Sequence, residues 1–380
     1  MHEIDDSQNR HSAPTMSQRL DSHCTESGIA LHCLQIRARL EPVVAFVLTP
    51  MADSVHYSVQ VRSCFANWMC GSEPQTLRRL MGIIGHRPNI LSFALGWPDP
   101  ALFPRAAISG ALAGAIEEDP LALQLGPPLP ALRREIAALM RRRGVACDES
   151  HVFLTTGAQQ ALDLLARLLV DPGASVALEE VTYPGMHMAL RPLAPTCCYV
   201  PTDEREGIDI DALQALLSRT HPRFIYVMSD GHNPLGVSLT PTKRKRLVDI
   251  ARAHQIPIIE DDPYGFYQYD DGDPLPPIRA LERHMPEGTR WSTPKSGMFV
   301  WVRLPSFIDT TTLLEHALER GVAFLPGPPF APGSQIADDA MRLCFASCPR
   351  DRIEEGIATL GGLAAEALGR TAPAVRMVGA

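Results

Sequence analysis

From about residue 150 the chain alternates short apolar runs with stretches whose apolar residues recur at helical spacing. The runs are HVFLTT (151–156), SVALEE (175–180), CCYVPTD (197–203), FIYVMS (224–229) and IPIIEDD (256–262). Each is short and bounded by turn residues, which predicts strands. Between them, GAQQALDLLARLLVDPG (157–173) reads as a helix with a Pro-Gly stop, and IDALQALLSR (210–219) and PTKRKRLVDIARAHQ (241–255) read as further helices. Strands alternating with helices predict βαβ units and a mainly parallel sheet. Helices on both faces of such a sheet require strands that are apolar throughout, as IPII and FIYV are. Upstream, LPALRREIAALMRRRGV (129–145) sets Leu132, Ile136 and Leu139 on one helix face. PQTLRRLMGIIG (74–85) predicts a short helix, and FALGWPDPALFP (93–104) a Gly/Pro loop.

After Pro277 the pattern changes. GMFVWVRLP (297–305) alternates like a half-buried strand, TTTLLEHALERG (310–321) is helical, and MRLCFASC (341–348) is another strand. The expected architecture is a large α/β domain over 106–284 and a smaller α+β domain built from 74–105 and 285–380. Residues 1–72 carry no sustained period and are expected to form a poorly ordered or loosely packed extension.

Composition narrows the function. Of 380 residues, 45% are apolar, enough for a substantial core, and the net charge is −8. An acidic balance argues against nucleic acid as a partner, because phosphate backbones need a basic surface. No apolar run approaches the ~20 residues that cross a bilayer, so no membrane span is expected. The nine cysteines form no CxxC pair and no zinc ligand set, so no metal is expected, and the reduced cytoplasm is the expected compartment. Only three lysines occur, Lys243, Lys245 and Lys295. Any chemistry that needs a lysine has three candidates.

Five features carry candidate chemistry. The turn into the helix at Gly157 offers free backbone N–H groups to a phosphate, or is plain strand–helix architecture. Asp261 ends a buried strand, where ligands of parallel sheets bind; it holds a cationic ring nitrogen, or caps the next turn of the chain. Asn233, in the tight turn HNPLG, donates to a phenolate oxygen or only shapes the turn. Tyr183 is a stacking platform or simple packing. Arg342 lies inside an apolar strand, so it is expected to meet a carboxylate from protein or ligand.

In order along the chain, SFALGWPDPALFP, TTGAQQ, TYPG, NPLG, EDDPY and RLCFA resemble the motifs of the fold-type I pyridoxal-phosphate enzymes. The resemblance is to class I/II aminotransferases of the 2-aminoadipate and MocR-related branch, over about residues 74–365. It implies a three-layer α/β/α large domain beside a small α+β domain, and a homodimer. The implied cofactor is pyridoxal 5'-phosphate, with an amino acid and a 2-oxo acid as partners. It implies that Gly157, Ala158 and Gln159 hold the phosphate, and that Tyr183 stacks on the ring. Asn233 and Tyr264 would bond the phenolic oxygen, and Asp261 the ring nitrogen. Arg342 and Gly96 would hold the substrate carboxylate. A carboxylate beside the ring nitrogen keeps it protonated, so the ring takes up electrons as the substrate Cα loses its proton.

The chain departs from the family in one segment. Between EDDPY and the GMFVW strand the family carries its cofactor-binding lysine, a phosphate-binding arginine and two central strands. Here PPIRALERHMPEGTRWSTPKS joins the two directly, and only 81 residues separate Asp261 from Arg342. A thinned sheet with exposed apolar edges is expected. Where the family has a tyrosine reaching a neighbouring subunit's phosphate, Leu125 stands. Lys295, 34 residues after Asp261, is the one lysine spaced to act as a surrogate amine; its plainer reading is a surface residue opening a small-domain strand. Lys243 and Lys245 belong to a charged helix face. Two activities are compatible with these residues: amino transfer between an amino acid and a 2-oxo acid, or a catalytically inactive homologue that binds the cofactor weakly or serves as a binding partner.

Overall fold

The computed structural model describes residues 89–371, apart from 128, 270–274 and 306–307, and also positions 66, 68, 82 and 84. The extension expected over 1–72 and the helix expected over 74–85 otherwise lie outside the described residues.

One core surrounds a four-stranded parallel sheet, in the order β3 (Thr196–Val200), β2 (Ser175–Glu179), β6 (Ile225–Val227), β7 (Ile258–Glu260). Alternate side chains point to opposite faces. Val176, Leu178, Phe224, Tyr226 and Ile259 pack against α3 (Gly157–Leu169) and α4 (Pro184–Leu190). Ala177, Ile225 and Val227 pack against α5 (Ile210–Leu217) and α6 (Pro241–Ala253). Both faces are therefore covered, which is why the middles of these strands are mostly apolar. Helix starts are fixed by local chemistry: Asp209 accepts from the amides of Asp211 and Ala212, and Thr240 from that of Lys243. A hairpin of β4 (Thr202–Asp203) and β5 (Gly207–Ile208) precedes α5.

A second core joins an antiparallel sheet, ordered β11 (Leu325–Pro326), β12 (Ala340–Cys344), β9 (Phe299–Arg303), β8 (Arg290–Trp291), to three helices. These are α7 (Pro276–His284), α8 (Thr310–Glu319) and α9 (Ile353–Thr371). β1 (Leu91–Ser92) pairs in parallel with β10 (Val322–Ala323) and ties the 89–105 segment to this core. The half-buried alternation expected for 297–305 is not what forms. Val300 and Val302 face the helices, while Phe299 and Trp301 on the other face are equally buried, against Tyr264 and Phe330.

Two further expectations fail. Residues 152–156 form no strand, although HVFLTT has a strand's composition. The parallel sheet stops at β7, whose single strand neighbour among the described residues is β6, and 152–156 do not join it. The apolar face expected on the 129–145 helix is likewise only partly covered. That helix, α2 (Pro130–Arg142), buries Ala137 but leaves Leu132 exposed. α1 (Arg105–Glu118) buries no residue, and its stripe Ile108, Leu112, Ile116 faces solvent.

Candidate active site

Arg342 is the centre of the site. It lies on β12 and is 6% exposed. Its Nη1 donates to Asn233 Oδ1 at 2.9 Å and its Nη2 to the Ala94 carbonyl at 2.5 Å, while Nε is buried without a partner. The guanidinium sits over the Phe299 ring at 4.3 Å and 5.4 Å from that of Phe330. Burial pulls its pKa down to about 10, so it stays charged at neutral pH. Among the described residues no carboxylate pairs with it. A buried cation without an acid is costly, and a carboxylate ligand is the group that relieves the cost. Gly96 lies against it: a Cβ there would stand 3.1 Å from Phe299 and 4.0 Å from Arg342 Nη2.

Asp261 directly follows β7. Its Oδ2 accepts a hydrogen bond from the Tyr226 hydroxyl at 2.8 Å. Burial raises its pKa, the Tyr226 bond opposes that, and the neighbouring Asp262 adds to it. Tyr183, the residue before α4, has its phenol raised by burial, then by the Asp261 charge, with the Arg342 charge opposing. Tyr264 is raised mainly by burial, with the Arg342 charge acting against it, and it meets Phe299 edge-on at 5.4 Å. One neighbourhood therefore holds Asp261, Tyr183, Tyr264, Arg342, Asn233 and Gly96.

Gly157 opens α3 at φ +77, which favours glycine. Its N-cap, Thr156, makes no side-chain capping bond, so the first amides of α3 are left to other acceptors. Gly157, Ala158 and Gln159 are all exposed. Gln159 Nε2 donates to the Gly185 carbonyl at 2.9 Å, and a Cβ on Gly185 would collide with both Gln159 and Tyr183. This contact connects the helix end to the Asp261 neighbourhood.

Lys295 is exposed, on a segment where its carbonyl accepts from the Tyr269 amide at 2.8 Å and Ser296 bonds Ser238 at 2.8 Å. Lys243 Nζ donates to the carbonyls of Glu206 (2.9 Å) and Ile208 (3.3 Å), and Lys245 Nζ to Asp249 at 2.5 Å. Leu125 is fully exposed. Sequence reasoning passed over Tyr226, reading it as one apolar residue of a strand. A tyrosine fully buried in a sheet must find a partner for its hydroxyl, and that requirement was the available signal.

The family model for aminotransferase class I and II matches residues 105–286. The 2-aminoadipate transaminase of Thermus thermophilus is 31% identical over 379 residues, covering 76% of this chain and 93% of that protein. This chain belongs to the class I and II aminotransferases. Its fold agrees with that of the kynurenine aminotransferase of Pyrococcus horikoshii, solved in complex with PMP. There the TM-score is 0.75 at 26% identity, over 82% of this chain and 99% of that one. It agrees also with the alpha-aminoadipate aminotransferase of Thermus thermophilus, complexed with N-(5'-phosphopyridoxyl)-L-leucine: TM-score 0.72, 28% identity, 81% and 99% coverage. The Thermus transaminase match runs over 379 positions yet takes up 76% of the 380 residues, so about ninety of its positions have no counterpart in this aminotransferase-family chain.

Proposed function

We propose that this chain binds pyridoxal 5'-phosphate together with an amino acid or its 2-oxo acid, at the cluster of Asp261, Tyr183, Tyr264 and Arg342. The observation that carries the reading is Arg342: a fully desolvated guanidinium with aromatic rings against it and no carboxylate of its own among the described residues. The donor set suits the cofactor. A half-buried carboxylate at a strand end matches a cationic ring nitrogen, two tyrosines flank it, and the first amides of α3 suit a phosphate. When bound, pyridoxal 5'-phosphate supplies an electron sink for amino transfer.

The residues of this chain then divide the remaining work. Asp261 holds the positive ring nitrogen, and Tyr183 packs on the ring. Arg342 and the backbone at Gly96 would grip the carboxylate and so orient the substrate. Burial around Arg342 excludes water, which strengthens that grip. Lys295 is assigned to hold or move a proton at the substrate Cα, because it is the lysine whose spacing from Asp261, 34 residues, suits that role. One observation favours a second reading, binding without turnover: the Lys295 side chain is exposed.

Borohydride reduction of the protein mixed with pyridoxal 5'-phosphate, followed by peptide mapping, separates the two. Amino transfer predicts a single labelled peptide containing Lys295 and loss of turnover in Lys295→Ala. Binding without turnover predicts retained cofactor, no labelled lysine and no exchange between any amino acid and 2-oxo acid. Failure to bind the cofactor at all contradicts both.

A further inference from the structure

Tyr226 is the least expected polar group near the site. It lies at the middle of β6, paired with Ile259 of β7, and is fully buried. Its ring packs in the core against α3 and α4, while its hydroxyl emerges at the strand end on Asp261. We propose that Tyr226 is a positioning residue that anchors one oxygen of Asp261, holds the carboxylate ionised, and leaves the other oxygen for a cationic ring; the last clause rests on the proposed cofactor binding.

The direction of the hydrogen bond is fixed. Burial and the Asp261 charge push the Tyr226 phenol far above its ordinary range, so it keeps its proton and donates. A carboxylate that accepts is favoured over a carboxyl group that must give up an acceptor site. Among the described residues no hydrogen bond reaches Oδ1 of Asp261, so the two oxygens are already distinguished. The other titratable groups around them do not replace this bond. Asp262 is of like charge and is ion-paired with Arg143. Tyr183 and Tyr264 are phenols raised chiefly by burial and further by the Asp261 charge, and Glu179 acts on Tyr226 from β2 with a like charge. Removing the Tyr226 hydroxyl leaves Asp261 with burial and repulsion alone, and both favour its neutral form. A neutral carboxyl group loses its attraction for a pyridinium.

The test has two arms. In ligand-free protein labelled at aspartate carboxyl carbons, with Asp261→Asn identifying the signal, the Asp261 titration is followed in wild type and Tyr226→Phe. The proton affinity of Asp261 should rise about tenfold, the effect of losing one hydrogen bond to a charged acceptor. An unmoved titration overturns the proposal. Should Tyr226→Phe not fold, 3-fluorotyrosine at 226, an isosteric stronger donor, must lower the proton affinity of Asp261; no change overturns the proposal equally. In the second arm, pyridoxal 5'-phosphate is titrated at pH 7.5 by fluorescence quenching. Tyr226→Phe should weaken it about tenfold, with no further loss when added to Asp261→Asn. Equal loss in both backgrounds overturns the proposal. If wild type binds none, the proposed cofactor binding fails, and the first arm alone decides the role of Tyr226.

Discussion

The two flanks of the site are built to different standards. On the Arg342 side, β12 is paired on both edges, and β9 is buried on both faces. Helices α7, α8 and α9 close that core. On the Asp261 side the parallel sheet ends one strand after β6, residues 152–156 find no partner strand among the described residues, and α1 turns an apolar stripe to solvent. Phe153 is 81% exposed and Leu125 fully so. Arg342 and its partners Asn233 and Ala94 lie in uninterrupted packing. The Asp261 side keeps its buried polar groups together while neighbouring apolar residues stay uncovered.

The largest effect that can break this contrast is on folding. Leu314→Ala, in the core of α8, should lower stability by about 3 kcal/mol, whereas Leu112→Ala, on the exposed stripe of α1, should change it by less than about 0.5 kcal/mol. Urea titration of both variants checks this; equal losses would mean that the α1 stripe is packed in solution. Next in size is Arg342→Met. It should weaken binding of a 2-oxo acid about 100-fold, the loss of a charge-assisted double hydrogen bond, with unfolding stability changed by less than about 1 kcal/mol. Calorimetric titration and urea unfolding supply the two readings, and a large loss of stability would show that the clamp is structural.

A smaller effect sharpens the Asp261 side. Because burial raises the Asp261 pKa and a pyridinium needs its anion, cofactor affinity should hold at neutral pH. It should fall up to tenfold per unit as pH drops below that raised value, and Asp261→Asn should abolish the dependence. The smallest effect concerns the helix beside it. His187 on α4 is half-buried with its Nε2 buried and unpartnered, and burial pulls its pKa down from 6.5 to about 4. A depressed histidine favours the folded state in full above its unfolded value, and this contribution is lost as pH falls from 6.5 toward 4. His187→Phe should flatten the stability curve across that window in acid-dependent thermal melts.

Much of this was legible in the chain. The strands at 175–179, 225–227 and 258–260 follow from apolar runs that helices cover on both sides, a pattern set by local composition. Asp261 and Arg342 stood out because a carboxylate at a strand end and an arginine inside a strand each demand a partner. The strand expected at 151–156 failed because pairing is not local: HVFLTT has the right residues, but a strand also needs a neighbour, which other parts of the chain must supply. The alternation read in GMFVWVRLP misled because Trp301 and Phe299 are buried by Phe330 and Tyr264, which approach from distant loops. The hydroxyl of Tyr226 was hidden because its ring reads as core, and its partner lies 35 residues away. Spacing set Lys295 beside the family's lysine, but the fold turns its side chain outward.

The most direct test is cofactor retention. The purified chain is mixed with pyridoxal 5'-phosphate, desalted, and the bound cofactor counted by absorbance against Asp261→Asn and Arg342→Met. About one cofactor per chain should stay on wild type and on Arg342→Met and wash from Asp261→Asn. Wild type that retains no more than Asp261→Asn would contradict the account.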